Sequence, residues 1–123
     1  MNIKHPNRRL AFVYCICFLL SCGSDHRASF TPEERHEADS VVKTVHNVEG
    51  LDSLNRAMIS QQNTLGQIIT LREWGKQLRN ESRFEEALKK HDEGLELAEQ
   101  AGDTIEWVQA LNNIGTDYRR MGI

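Results

Sequence analysis

From Thr31 onward the apolar positions recur every three or four residues and never alternate over five or more, so the pattern predicts helices and no strand. The run FTPEERHEADSVVKTV opens with Thr31 as N-cap, Pro32 at the first helical position and Glu34 three residues after the cap, the layout of a reciprocal capping box. Ala38, Val41, Val42 and Val45 follow at helical spacing, and NVEG reads as the end of this short helix. A second short helix carries Leu51, Leu54 and Met58 and leaves through the polar SQQN. Three longer helices come next. Thr64 to about Asn80 places Leu65, Ile68, Leu71, Trp74, Gly75 and Leu78 on one stripe, and Arg83 to Ala101 does the same with Phe84, Ala87, Leu88, His91, Leu95 and Ala98, with Gly102 as its stop. Asp103 and Glu106 form a second capping box, and Trp107, Ala110, Leu111, Ile114, Tyr118 and Met121 make the last stripe before Gly122. The expected fold class is all-α.

The first residues follow another pattern. Lys4, Arg8 and Arg9 precede an apolar run of eleven residues, LAFVYCICFLL, which is too short to span a bilayer as a helix and has the length of a secretory signal's apolar core. The sequence LLSCGS that overlaps its end resembles the bacterial lipobox, with Leu19, Leu20 and Ser21 before Cys22. That resemblance implies removal of residues 1–21, acylation of Cys22 and a lipid anchor in the bacterial cell envelope, periplasmic or at the outer membrane. Cys15 and Cys17 lie within the apolar run, so Cys22 would be the one cysteine left and no internal disulfide could form. Residues 22–30 are small and polar and read as a tether, residues 31–62 as a cap of two short helices, and residues 63–123 as the main helical body.

The chain has room for one domain, and its net charge of −3 becomes −6 without residues 1–21, with twelve basic side chains against eighteen acidic. A mildly acidic body gives no electrostatic reason to expect direct nucleic-acid binding.

The chain also repeats itself. LREWGKQL, from Leu71, and LNNIGTDY, from Leu111, share one order: apolar, two residues, apolar, glycine, two residues, apolar; their glycines, Gly75 and Gly115, stand 40 residues apart. With RFEEALKKHDEGLEL between them, this stretch resembles the tetratricopeptide repeat family over roughly residues 68–123. The match lacks the proline usual at a repeat end, has His91 where an aromatic is common, and exceeds the family's period of 34. The resemblance implies an α-solenoid of antiparallel helix hairpins, one full repeat and the first helix of a second. Because stacked repeats bury a continuous core only with neighbours, it also implies that residues 1–123 begin a longer solenoid or a truncated product, with Trp107, Ile114, Tyr118 and Met121 partly exposed.

Catalytic patterns are incomplete. HEADS places Ser40 where a zinc-binding HExxH needs its second histidine, and SVVK, Ser40 to Lys43, matches S-x-x-K without partner motifs. The five histidines show no metal-ligand spacing and there is no glycine-rich phosphate loop, so no enzyme, cofactor or metal is expected; His91 reads as a filler at the core edge. The family resemblance implies a concave peptide groove lined here by Arg72, Lys76, Arg79, Asn112, Asn113, Thr116 and Arg119. Guanidinium and amide donors suit carboxylates or an extended backbone, so the expected partner is another protein or an acidic peptide. The reading is thus an envelope-anchored interaction scaffold. The alternative is the extracytoplasmic sensor part of a longer transcriptional regulator or kinase.

Overall fold

The computed structural model describes residues 30–123, so the signal segment 1–21, Cys22 and all of the tether except Phe30 lie outside the described residues. Five α-helices follow in order: α1 (Pro32–Val42), α2 (Val48–Ser60), α3 (Thr64–Asn80), α4 (Phe84–Ala101) and α5 (Thr104–Arg120); no strand occurs among the described residues. The all-α expectation therefore holds over this part of the chain.

Local chemistry sets most of the boundaries. The Thr31 hydroxyl accepts from the Glu34 amide while the Glu34 carboxylate accepts from the Thr31 amide, so the first capping box closes as read. NVEG does not end α1, which stops at Val42. It begins α2, because the Asn47 side chain accepts from the Gly50 amide at 2.6 Å and caps the new helix. Val45 sits in the intervening turn and still packs against the core. Asn63 caps α3 in the same way. Gly102 ends α4 in the left-handed region at φ 68°, where a side chain would be strained. The second capping box forms only by half. Asp103 accepts from the amides of Ile105 and Glu106, but the Glu106 carboxylate turns to arginines of α1 and α3 instead of reaching back.

Helices joined by turns this short and packed on one another run antiparallel. α3 lies at the centre: it packs extensively on α4, then on α2, α1 and the near side of α5, while α4 packs on α5. Leu65, Ile68, Leu71, Trp74, Gly75 and Leu78 are all buried, as the α3 stripe predicts. They join Ala38, Val42, Leu51, Ile69 and Ala87 in the core, with Phe30 packed at its edge. The Lys90 ammonium lies 4.2 Å from the centroid of the Trp74 ring and covers that end of the α3–α4 contact. Gly75 lets α4 come close: a Cβ added there would overlap the His91 ring.

Candidate functional site

α5 packs by a face turned to one side of its apolar stripe, so that only Ala110 of the stripe is buried. Its buried positions are Glu106, Ala110 and Asp117, while Trp107, Leu111 and Tyr118 are 39%, 41% and 41% exposed. The reason is charge. Arg72 on α3 is buried and donates through Nη1 to Glu106 at 2.7 and 2.8 Å, through Nε to Glu73 at 3.0 Å, and through Nη2 to Asp39 of α1. Arg35 of α1 reaches Asp103 at 2.6 Å and Glu106 at 3.3 Å. One turn pair further along, Arg79 donates to Asp117 at 2.8 Å, and Asp117 also bonds His91 Nδ1. His91 Nε2 faces the Arg72 carbonyl oxygen at 3.2 Å. Charged groups of α1, α3 and α5 therefore meet, together with the His91 ring of α4, in one largely buried layer, where each is hydrogen-bonded and the charges are paired, the condition under which burial of charge is tolerated.

The protonation states follow from that pairing. Burial works against the charge on Asp39, but Arg72 and Lys43 outweigh it and hold the carboxyl below its ordinary value. Burial likewise opposes the Glu73 charge and is outweighed by Lys76 and Arg72. Arg72 is raised: desolvation is overcome by Glu106, Glu73 and Asp39.

The expected groove residues are thus divided. Arg72 and Arg79 spend their guanidinium donors on carboxylates of the chain itself, and Asn113 is tied in as well, accepting from Arg79 at 3.1 Å and donating to the Gln109 carbonyl. Lys76 is partly exposed and bonds Glu73 at 2.8 Å. Asn112 and Arg119 are exposed and Thr116 is half-buried, Thr116 donating to the Asn112 carbonyl and accepting from Arg119. Of these residues the structure joins Arg79 of α3 directly to Asn113 of α5, while Lys76, Asn112, Thr116 and Arg119 make contacts only within their own helices. His91 is not an edge filler. It is 1% exposed and joins α3, α4 and α5.

Pattern reading does not single out Asp39 or Asp117, and gives Glu106 only as a capping residue. A signal existed in the spacing: Arg72 and Arg79 stand two helical turns apart, Glu106 and Asp117 three turns apart, so each pair lies on one face. Nothing in either segment says that the two faces meet.

Two open surfaces remain. One is a trough of about 970 Å³ between α1, α2 and the end of α4, with Phe30, Val41, Leu54, Met58 and Leu97 among its walls. The other is the outward stripe of α5. Among the described residues no group of three His, Cys, Asp or Glu side chains is placed to hold a metal ion, and no helix is long and apolar enough to cross a membrane. Comparison with protein-family models, with curated proteins and with solved structures finds no match to this chain.

Proposed function

We propose that this chain is a protein-binding scaffold of tetratricopeptide-like helix hairpins, held at a bacterial cell envelope by a lipid on Cys22. The observation that carries the binding role is the α5 stripe: Trp107, Leu111 and Tyr118 stay exposed on a helix whose other face is locked by buried ion pairs. A helix anchored this way can present apolar side chains to a partner without reorganising, which lowers the entropic cost of docking. The internal repeat of LREWGKQL and LNNIGTDY supports the hairpin reading, and the lipobox-like LLSCGS supports the anchor. The polar side of α3 and α5 is the weaker candidate for recognition of an acidic peptide, because Arg72 and Arg79 are already neutralised there.

The test uses the full chain in a bacterial host. A photoreactive residue placed at Leu111, at Asn112 or at the exposed Glu33 of α1 reports what each surface touches, and an alkynyl fatty acid reports acylation. We expect a discrete protein adduct from Leu111 or Asn112 and none from Glu33, with label and membrane association lost in Cys22→Ala. Equal, diffuse adducts from all three positions sink the scaffold, and label retained by Cys22→Ala sinks the anchor.

A further inference from the structure

The trough beside α1 has a chemistry of its own. Phe30, Glu34, Glu37 and Val41 follow one another at three- and four-residue spacing and form one wall along the whole of that helix. α2 and α4 supply an apolar floor and a rim of amides that includes Gln61 and Gln100, and no lysine, arginine or histidine lines the trough. Acids on one lip and amides on the other suit an extended backbone that carries a cation. Glu34 is engaged at the Thr31 amide. Glu37 is exposed, and its carboxylate has no ion pair or hydrogen bond among the described residues.

The chain itself arrives at one end of this trough. Phe30 belongs to the wall, and residues 22–29, CGSDHRAS, which lie outside the described residues, join it directly. Run back along α1 in extended form, the segment covers about 10 Å from Phe30 to Arg27. Glu37 stands about 9 Å along α1 from Thr31. Arg27 therefore comes level with Glu37, and Asp25 is carried about 7 Å further, past both acids of the wall. From Phe30 to Cys22 the reach is at most about 28 Å, against roughly 16 Å for α1, so the segment is long enough to line the whole wall. Being joined to the body, it also competes at an effective concentration on the order of millimolar, which a separate basic peptide would have to match.

We propose that residues 22–29 dock in the trough as an extended strap, with Arg27 paired to Glu37 and the small residues Ala28 and Ser29 against the apolar floor. This rests on the anchor reading, which makes these residues the tether, and it gives the tether two states. Docked, it fills the trough and holds the body against the membrane. Released, it opens the trough and lets the body stand off by the length of the segment. The pair at its centre is exposed, so release is favoured by salt.

The experiment takes the full chain in a bacterial host, with a photoreactive residue at Gln100 on the α4 rim of the trough, and maps the adduct by peptide mass after irradiation. The adduct is expected on residues 22–29 of the same chain. E37K should lower its yield about two- to fivefold, the size of an exposed ion pair, and the charge swap R27E/E37K should restore it, with helix content unchanged in both. No adduct, an adduct on lipid, on another protein or on residues 10–20, or a yield that E37K leaves unchanged overturns the proposal. The fatty-acid label is read on the same sample. Label without an adduct on residues 22–29 would leave the anchor standing and remove the strap, and the adduct without label would do the reverse.

Discussion

Arg72 holds more of this structure than any apolar side chain near it. Its fork satisfies three carboxylates on three helices, and Glu106 is buried with only Arg35 as a second partner. Arg72→Met removes the cation that the three share and leaves buried Glu106 with only the 3.3 Å contact to Arg35, so unfolding in urea should show a loss of about 3–5 kcal/mol. Arg72→Lys should recover only part of that, since an ammonium cannot match the planar fork. The two repeat glycines should part in the opposite sense. Gly75→Ala drives a methyl into the His91 ring and should cost about 1–3 kcal/mol by overpacking. Gly115→Ala meets open space and should stabilise by up to about 1 kcal/mol. Thermal melts of the two variants check the pair; a shift of both in one direction would contradict the packing described.

Each helix start is a local matter, and α5 shows where that locality ends. Asp103 caps the helix through two backbone amides and also pairs with Arg35 of α1, a residue 68 positions away. Asp103→Ala should therefore cost about 2–3 kcal/mol, more than the roughly 1 kcal/mol of a cap alone. Asp103→Asn keeps the cap and weakens only the pair, so it should fall between. Amide hydrogen exchange in the first turn of α5 separates the effects: Asp103→Ala should accelerate it, Asp103→Asn should leave it slower. The helices themselves were legible because capping side chains, glycine stops and period-3.6 stripes act within a few residues. The exception, NVEG, was a cap read as a terminator, since asparagine serves at either end of a helix.

For the molecule as a whole, the buried charge layer sets the response to acid. Asp39 and Glu73 bind protons less readily in the folded chain than in the unfolded one. Their contribution is complete above the ordinary carboxylate range and is lost as pH falls below about 4. Melting temperature should therefore drop between about pH 5 and pH 3, and the drop should be shallower in Arg72→Met, where Asp39 has lost its main cation and Glu73 the weaker of its two. The candidate site was only half legible for the same reason. The exposed stripe of α5 and its glycine stand in plain sequence, but whether Arg72 and Arg79 face a ligand or an internal carboxylate depends on what lies opposite them. Helix content, four of the five starts and the α3 core stripe follow from residues three or four apart, whose interactions form whatever the rest of the chain does. The inward turn of Glu106 and Asp117 and the burial of His91 follow from polar groups more than 25 residues apart meeting in low dielectric, and that meeting exists only once the helices pack.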